Sequence, residues 1–565
     1  MKLVKPLTIL LFSLSIAAQA QSPDWTWSGH IGGADYDRGI SAFSASDRMI
    51  YTAGYFYGTG DFDPGPGFWS LTSANLSADI FICKSDSAHH LVWAKKISGL
   101  GTEEVQAMTT DVDGNIYLAG TFTSTVDFDP GPGSVLLTAS SNDAFVCKLD
   151  SSGHLLWAKK IGGSNAHMYP LTIVVDSSPL RSVYLAGMFD GTADFDPGPA
   201  ADSMTSYARL DAFLCKFDNA GNYKWSRRFG GDGVLSDNIA SIVVDFSGQH
   251  IYATGSFSDT VDFDPGPAIV ERVASGDMDA YILCYDSAGN FSWVDQLSGP
   301  DRETGYGIAT YRNGDIAVTG SFRGQVDFDP GAGAHILSSA GIEDIFFCQV
   351  DTAGNFVRAF SIGDTLSDEG YYIVDDQDGN IFIGGIFNGT VDFDPGPGIV
   401  NATAISNDIF VSKYDSTGNF QWVRTAGGSQ GASISSLILL PDQSLHVTGV
   451  YFSSTMSFGL TSISNYGNFD VFVACIGIPN PSGTTEISHP APLVYPNPAR
   501  DYFMIDQNIP GNAEITITSG DGKIVYQGNL QSDHRMDVRS FADGIYFIRV
   551  LSNDVVSTFR IALTR

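Results

Sequence analysis

Positive charge is what this sequence most lacks. Its 565 residues hold 30 Lys and Arg against 63 Asp and Glu, a formal net charge of -33. Such a chain repels nucleic-acid backbones and anionic membrane surfaces, which excludes both as partners. Charge of either sign is sparse at 16%, and in its place stand 62 Gly, 37 Phe and 23 Tyr. That balance belongs to a turn-rich β protein and not to a disordered one. Long apolar runs are missing beyond the N-terminus, so no later segment is expected to span a bilayer. Cysteine is nearly absent, with six in the whole chain.

The one apolar run, residues 7–18, follows Lys2 and Lys5 and precedes Ala18-Gln19-Ala20. Basic, apolar and small-residue regions in that order predict a secretory signal peptide over residues 1–20 and a mature chain starting near Gln21.

What the chain has in abundance is repetition. Residues 126–133 read Val-Asp-Phe-Asp-Pro-Gly-Pro-Gly, and Asp-Phe-Asp begins at Asp61, Asp127, Asp194, Asp262, Asp327 and Asp392, in steps of 65 to 68 residues. A seventh, worn copy keeps only the aromatic, as Ser457-Phe458-Gly459. A fixed period of this size marks a repeat architecture. Each copy carries four strand patterns separated by Gly or Asn-Gly turns, with the Asp-Phe-Asp segment as an extra arm between strands two and three. The second-strand pattern occurs seven times and so does the third. The fourth, centred on Trp93, Trp157, Trp225, Trp293, residues 356–357 and Trp422, occurs only six times after a third strand. The missing one is at the front, where residues 25–33 match residues 156–163. The N-terminal strand is therefore expected to complete the last copy and leave no open edge. The predicted fold class is all-β, a seven-bladed β-propeller of about 66-residue repeats over residues 21–478, followed by a small β-sandwich.

Four cysteines, Cys83, Cys147, Cys215 and Cys348, fall in one repeat column that also accepts Leu283, Ser412 and Ala474. Cys284 and Cys475 fall one position later, where other copies have Lys84, Lys148, Lys216, Gln349 and Lys413. Equivalent sites in successive repeats normally lie beyond bridging distance, so free packing thiols are expected.

On its repeat residues the chain resembles bacterial seven-bladed propeller proteins whose units read Gly-Asn-x-Tyr-x-x-Gly, Asp-Ala-Phe-Val-x-Lys-x-Asp and Gly-x-x-x-Trp. After a Pro- and Ser-rich linker at residues 479–492, the remainder shows alternating strands that predict the β-sandwich. Val494-Tyr495-Pro496-Asn497-Pro498, Gly522-Lys523-Ile524-Val525-Tyr526, residues 544–550 and the basic end at Arg565 make residues 493–565 resemble the C-terminal sorting domain of the type IX secretion system of Bacteroidetes, although that family ends more often in Lys. The resemblance implies export through the periplasm by the type IX machinery, removal of this domain near the linker, and a secreted or outer-membrane surface location.

The chemistry is harder to read. The paired aspartates Asp61 and Asp63, Asp127 and Asp129, Asp194 and Asp196, Asp262 and Asp264, Asp327 and Asp329, and Asp392 and Asp394 are two apart, so each pair shares one face of an extended strand and offers oxygens to Ca²⁺. Full calcium loops carry a further ligand and a late Glu where these have Pro and Gly, so capping of the turn by each Asp is the preferred reading. The turns starting at Asp86, Asp286, Asp351 and Asp415 resemble the Asp-Ser/Thr-apolar O-glycosylation site of Bacteroidetes, but an ordinary hairpin turn explains them. The Trp column reads as packing between repeats and not as sugar platforms. The ten histidines show no zinc spacing, and no phosphate loop or nucleophile elbow occurs. The expected role is a secreted binding or adhesion module for a surface glycan or protein. The alternative is a hydrolase or lyase acting on polysaccharide at the channel mouth, with Glu103, Glu104, Asp232, Glu303, Asp364 and Asp368 as its candidates.

Overall fold

The computed structural model describes residues 23–477, except 45–48, 75–76, 208 and 377, together with strands and short stretches beside them between residues 494 and 563. The expected signal peptide, the start near Gln21, the linker, residues 496–498, Gly522 and Arg565 lie outside the described residues. The chain divides into two compact units, Met1–Pro479 and Asn480–Arg565, and every named element is a β-strand.

In the first unit, β1 (Asp24–Gly33) precedes β2 (Asp37–Ser44), β3 (Ile50–Phe56), a short arm of β4 (Thr59–Asp61) and β5 (Ser70–Thr72), and then β6 (Asp79–Ser85) and β7 (Leu91–Gly99). β2, β3, β6 and β7 pair side by side, all antiparallel. Five further groups repeat this four-strand order. The seventh group has only three strands of its own, Ala432–Leu439, Leu445–Tyr451 and Asp470–Gly477, and β1 is its fourth, paired with Asp470–Gly477 from Asp24 to Ile31. The first strands of successive sheets touch, and that of the seventh sheet touches β2, so the order of neighbours returns to its start.

The sequence explains which strands sit where. Second and third strands such as Ile116–Phe122 and Asp143–Leu149 are buried at every residue. A strand covered on both faces drops the polar alternation of a half-solvated one, hence the unbroken apolar runs. Fourth strands mix buried and part-exposed positions. Their tryptophans reach the next sheet, where Trp157 Nε1 donates to Asn219 O at 3.1 Å and Trp225 Nε1 to Ser287 O at 3.4 Å. The receiving turns run Asp-x-x-Gly, and their glycines, Gly153, Gly221, Gly289, Gly354 and Gly418, all hold φ between +73° and +89°. That backbone region penalises a side chain.

The arms account for the long period. Val126 and Asp127 of the second copy's arm pair with Gly99 and Ser98 of β7, and Gly60 and Asp61 of β4 pair with Gly33 and Gly32 of β1. The Asp194, Asp327 and Phe458 arms likewise meet the last strand of the preceding sheet. Each of these arms stitches its sheet to the one before.

The second unit holds a three-stranded sheet of Val494–Tyr495, Tyr502–Ile505 and Arg535–Asp537 and a four-stranded one of Ile524–Asn529, Glu514–Ser519, Gly544–Ser552 and Val555–Leu563. Phe503 and Met536 from the first join Ile515, Ile517, Tyr546 and Ile548 from the second in one hydrophobic cluster.

Candidate functional site

The repeated aspartates do the same work in all six intact arms. Asp127 Oδ1 accepts the backbone N–H of Asp129 at 3.1 Å and of Val135 at 2.8 Å, and Asp129 Oδ1 accepts that of Gly131 at 2.8 Å. Asp61 with Asp63, Asp194 with Asp196, Asp262 with Asp264, Asp327 with Asp329 and Asp392 with Asp394 repeat the pattern. Phe128, between the two carboxylates, points the other way and is fully buried, as a strand period of two requires.

The turns starting at Asp86, Asp286, Asp351 and Asp415 are held in the same manner. Asp86 Oδ1, for example, accepts from Ala88 N and His90 N at 2.9 Å each. All six cysteines are free and buried.

The six carboxylates singled out as catalytic candidates do not converge. Glu103 and Glu303 are wholly buried between sheets, Asp368 is buried and accepts from Asp364 N and Asn388 N, and Asp232 lines a separate groove beside Arg228. Only Glu104 reaches the cavity, about 650 Å³, that residues from all seven sheets line together. Its wall carries Arg38, Glu104, Asn238, Arg302, Tyr306 and Tyr371 among others. Tyr371 donates to Glu369 Oε2 at 3.1 Å and meets Tyr306 edge-on at 5.1 Å. Burial first, and Glu369 second, push Tyr306 up to about 12. Tyr306 therefore presents a neutral hydroxyl.

Beside this cavity, and sharing Arg38, Tyr55 and Ser433 with it, lies a second of about 540 Å³ between the first and seventh sheets. Tyr36, Tyr55, Tyr57, Phe452 and Phe469 line it. Tyr36 packs on Phe469 at 5.0 Å and Phe452 on Phe469 at 4.7 Å, yet Tyr36 is 48% and Phe469 38% exposed. A clustered and partly solvated set of large rings is uncommon on a protein with no partner for them. Sequence reading missed this cleft. Its signal was a departure from the repeat: Tyr57 and Phe452 occupy the column held elsewhere by Thr123, Asp190, Ser258, Arg323 and Asn388.

The buried acids make their own electrostatic pattern. At five sheet boundaries an acid at the head of a first strand faces the aspartate that heads the preceding third strand: Asp37 with Asp470, Glu103 with Asp79, Asp237 with Asp211, Glu303 with Asp279 and Asp368 with Asp344. Burial, with the facing carboxylate adding to it, raises Asp37 to about 7, Glu103 and Glu303 to about 8, and Asp237 and Asp368 to about 6. A carboxyl raised on folding contributes stability that is fully present below its unfolded value, near 4, and lost as pH rises through the folded one. The melting temperature should therefore climb as pH falls from about 9 to about 5. Asp218 works in the opposite sense. Against partial burial, bonds from Lys224 and Asn222 hold it down to about 2, so its contribution disappears as pH falls below about 4. Calorimetry across this range checks the sign. Replacing Glu103 and Glu303 together by Gln should flatten the slope above pH 6, and an unchanged slope would assign it to general charge repulsion.

Against known proteins, residues 493–563 match the secretion system C-terminal sorting domain. The protein is accordingly exported by type IX secretion, to the cell surface or the medium. The chain is 23% identical over 254 residues to an uncharacterized WD repeat-containing protein, L264, of Acanthamoeba polyphaga mimivirus, covering 40% of this chain and 18% of that one. It is 27% identical over 187 residues to the regulatory protein FlaEY of Caulobacter vibrioides, covering 33% of this chain and again 18% of the relative. The chain thus spans under a fifth of the length of these curated relatives. Among solved structures, Sqt1 from Chaetomium thermophilum is similar with 10% identity and a TM-score of 0.35, over 97% of this chain and 100% of that one.

Proposed function

We propose that residues 21–478 form a seven-bladed β-propeller closed by β1, which residues 479–492 link to a β-sandwich sorting domain at 493–565, and that the propeller is a surface-directed binding or adhesion module. Its ligand is a neutral or weakly basic polymer, a saccharide above all, seated in the aromatic cleft and reaching the central mouth. The observation that carries this reading is the cleft itself, five large rings half open to water and joined to a polar mouth through Arg38 and Tyr55. Concave sites that pair an apolar wall with a few convergent polar groups are what small ligands and chain segments select. A net charge of -33 turns polyanions away. The contribution of all seven sheets to the mouth also favours binding over catalysis, which needs a few groups converging on one reacting atom.

Sedimentation of the purified mature chain with insoluble neutral polysaccharides tests the reading. Tyr57→Ala combined with Phe469→Ala should weaken binding on the order of tenfold or more at unchanged melting temperature. Equal retention of the folded variant would place the ligand elsewhere.

A further inference from the structure

The seam between the first and seventh sheets holds a second departure from the repeat. In four other sheets a third-strand lysine lies over a second-strand aromatic ring, at 5.1 Å for Lys84 on Tyr51, 4.8 Å for Lys148 on Tyr117, 5.0 Å for Lys216 on Tyr184 and 4.7 Å for Lys413 on Phe382. Two of these ammonium groups also donate to a carbonyl in the turn of the following sheet, Lys84 to Ser151 O at 3.0 Å and Lys216 to Ser287 O at 2.8 Å. A cation thus sits under the next sheet's turn. In the seventh sheet the lysine is Cys475 and the aromatic is His446, paired across adjacent strands. The turn that covers them belongs to the first sheet, and where the others have glycine it carries His89 at a φ of 65°.

We propose that His89, His446 and Cys475 form a binding site for Zn²⁺, which replaces the missing lysine as the cation of this position and clamps the first sheet to the seventh. Their ligand atoms all lie within 4.8 Å of one another. Two imidazoles and a thiolate are the donor set of borderline-soft divalent ions, and three protein ligands leave one tetrahedral position open. His446 is 2% exposed, and its Nδ1 has no hydrogen-bond partner among the described residues. A buried nitrogen in that state carries a cost that a metal bond removes. Trp27 of β1, paired with Cys475, stacks flat on His89 at 3.8 Å and 11°. Binding takes the Cys475 proton into solvent and forms one Zn–S and two Zn–N bonds as the ion gives up the hydration waters they replace.

The histidine at position 89 is conformationally costly, because a glycine would hold the same φ freely. His89→Gly restores the residue of five other turns and removes a ligand without harming the backbone. The full mature chain, freed of metal by chelator and dialysis, is titrated with Zn²⁺, and Co²⁺ replaces it for spectroscopy. The wild type should take up one ion per chain, show a thiolate-to-cobalt charge-transfer band, and melt at a higher temperature with Zn²⁺ than without. His89→Gly should melt no lower than the wild type in the absence of metal, and should lose the band, the Zn²⁺-dependent rise and on the order of 100-fold or more in affinity. Cys475→Ser should do the same to the band. No uptake by the wild type overturns the site, and so does uptake that survives both substitutions.

Discussion

Replacing Phe128 by Ala should cost about 3–5 kcal/mol of stability, the range for a large aromatic removed from a core that cannot collapse around the void. Phe128 is fully buried, with ring centroids 5.3 Å from Phe122 and 5.0 Å from Phe145. Those two rings belong to the second and third strands of the same sheet, so Phe128, with the buried Val126 beside it, fastens the arm and its stitch to β7 onto the sheet. The trio recurs almost unchanged: Phe62 lies 4.7 and 5.0 Å from Phe56 and Phe81, Phe328 lies 5.3 and 5.0 Å from Phe322 and Phe346, and Phe393 lies 5.4 and 5.0 Å from Phe387 and Phe410. In the worn seventh copy, where both carboxylates are gone, Phe458 still packs on Phe472 at 5.5 Å and on Trp25 at 5.0 Å. Only the aromatic survives in every copy because burial dominates the energetics. A capping Asp that bonds two amides is worth about 1 kcal/mol per bond. Asp127→Ala should therefore destabilise clearly less than Phe128→Ala, and chemical denaturation of the two variants reads the difference. Equal effects would mean that the arm is held by its carboxylates.

Much of the first unit was legible because repetition exposes it. A column that is apolar in every copy has to be core, and the two-residue spacing of Asp127 and Asp129 settles that Phe128 faces inward while both acids face the turn. The fourth-strand pattern at residues 25–33 pointed to β1 as the partner of Asp470–Gly477, and the pairing is there. The candidate sites were harder to see for the same reason. A repeat draws attention to what is copied, and the six Asp pairs, copied most faithfully, hold turns. What distinguishes one sheet from another are departures at single positions: Tyr57 and Phe452 in a column of small or polar residues, His89 in a column of glycines, Cys475 in a column that is lysine in four copies. Each is unremarkable in its own copy. They meet only because the first and last copies are neighbours in space, which no local spacing encodes. The buried acids were misleading in another way. Glu103 and Glu303 sit at the variable junctions between copies and read as candidate catalysts, but they are the second members of inter-sheet carboxyl pairs shut off from water.

The pairing of β1 with Asp470–Gly477 underlies both the cleft and the proposed zinc site, since each is built from the first and seventh sheets. Without β1 the strand Asp470–Gly477 becomes an unpaired edge, and Trp25 and Ile31, 8% and 1% exposed, leave the core. Trp27 also goes, uncovering His89. Such an edge invites association with other chains, and the buried Trp25 and Ile31 removed with the strand would each have contributed about 2 kcal/mol or more.

The decisive measurement is the thermal unfolding of a mature chain from which residues 24–31 have been excised, followed by circular dichroism and sedimentation beside the intact chain. Closure by β1 predicts a broad transition at far lower temperature and oligomers joined through the open edge, with recovery when a peptide of residues 23–33 is added. A monomer that melts as cooperatively and at the same temperature as the intact protein would contradict it.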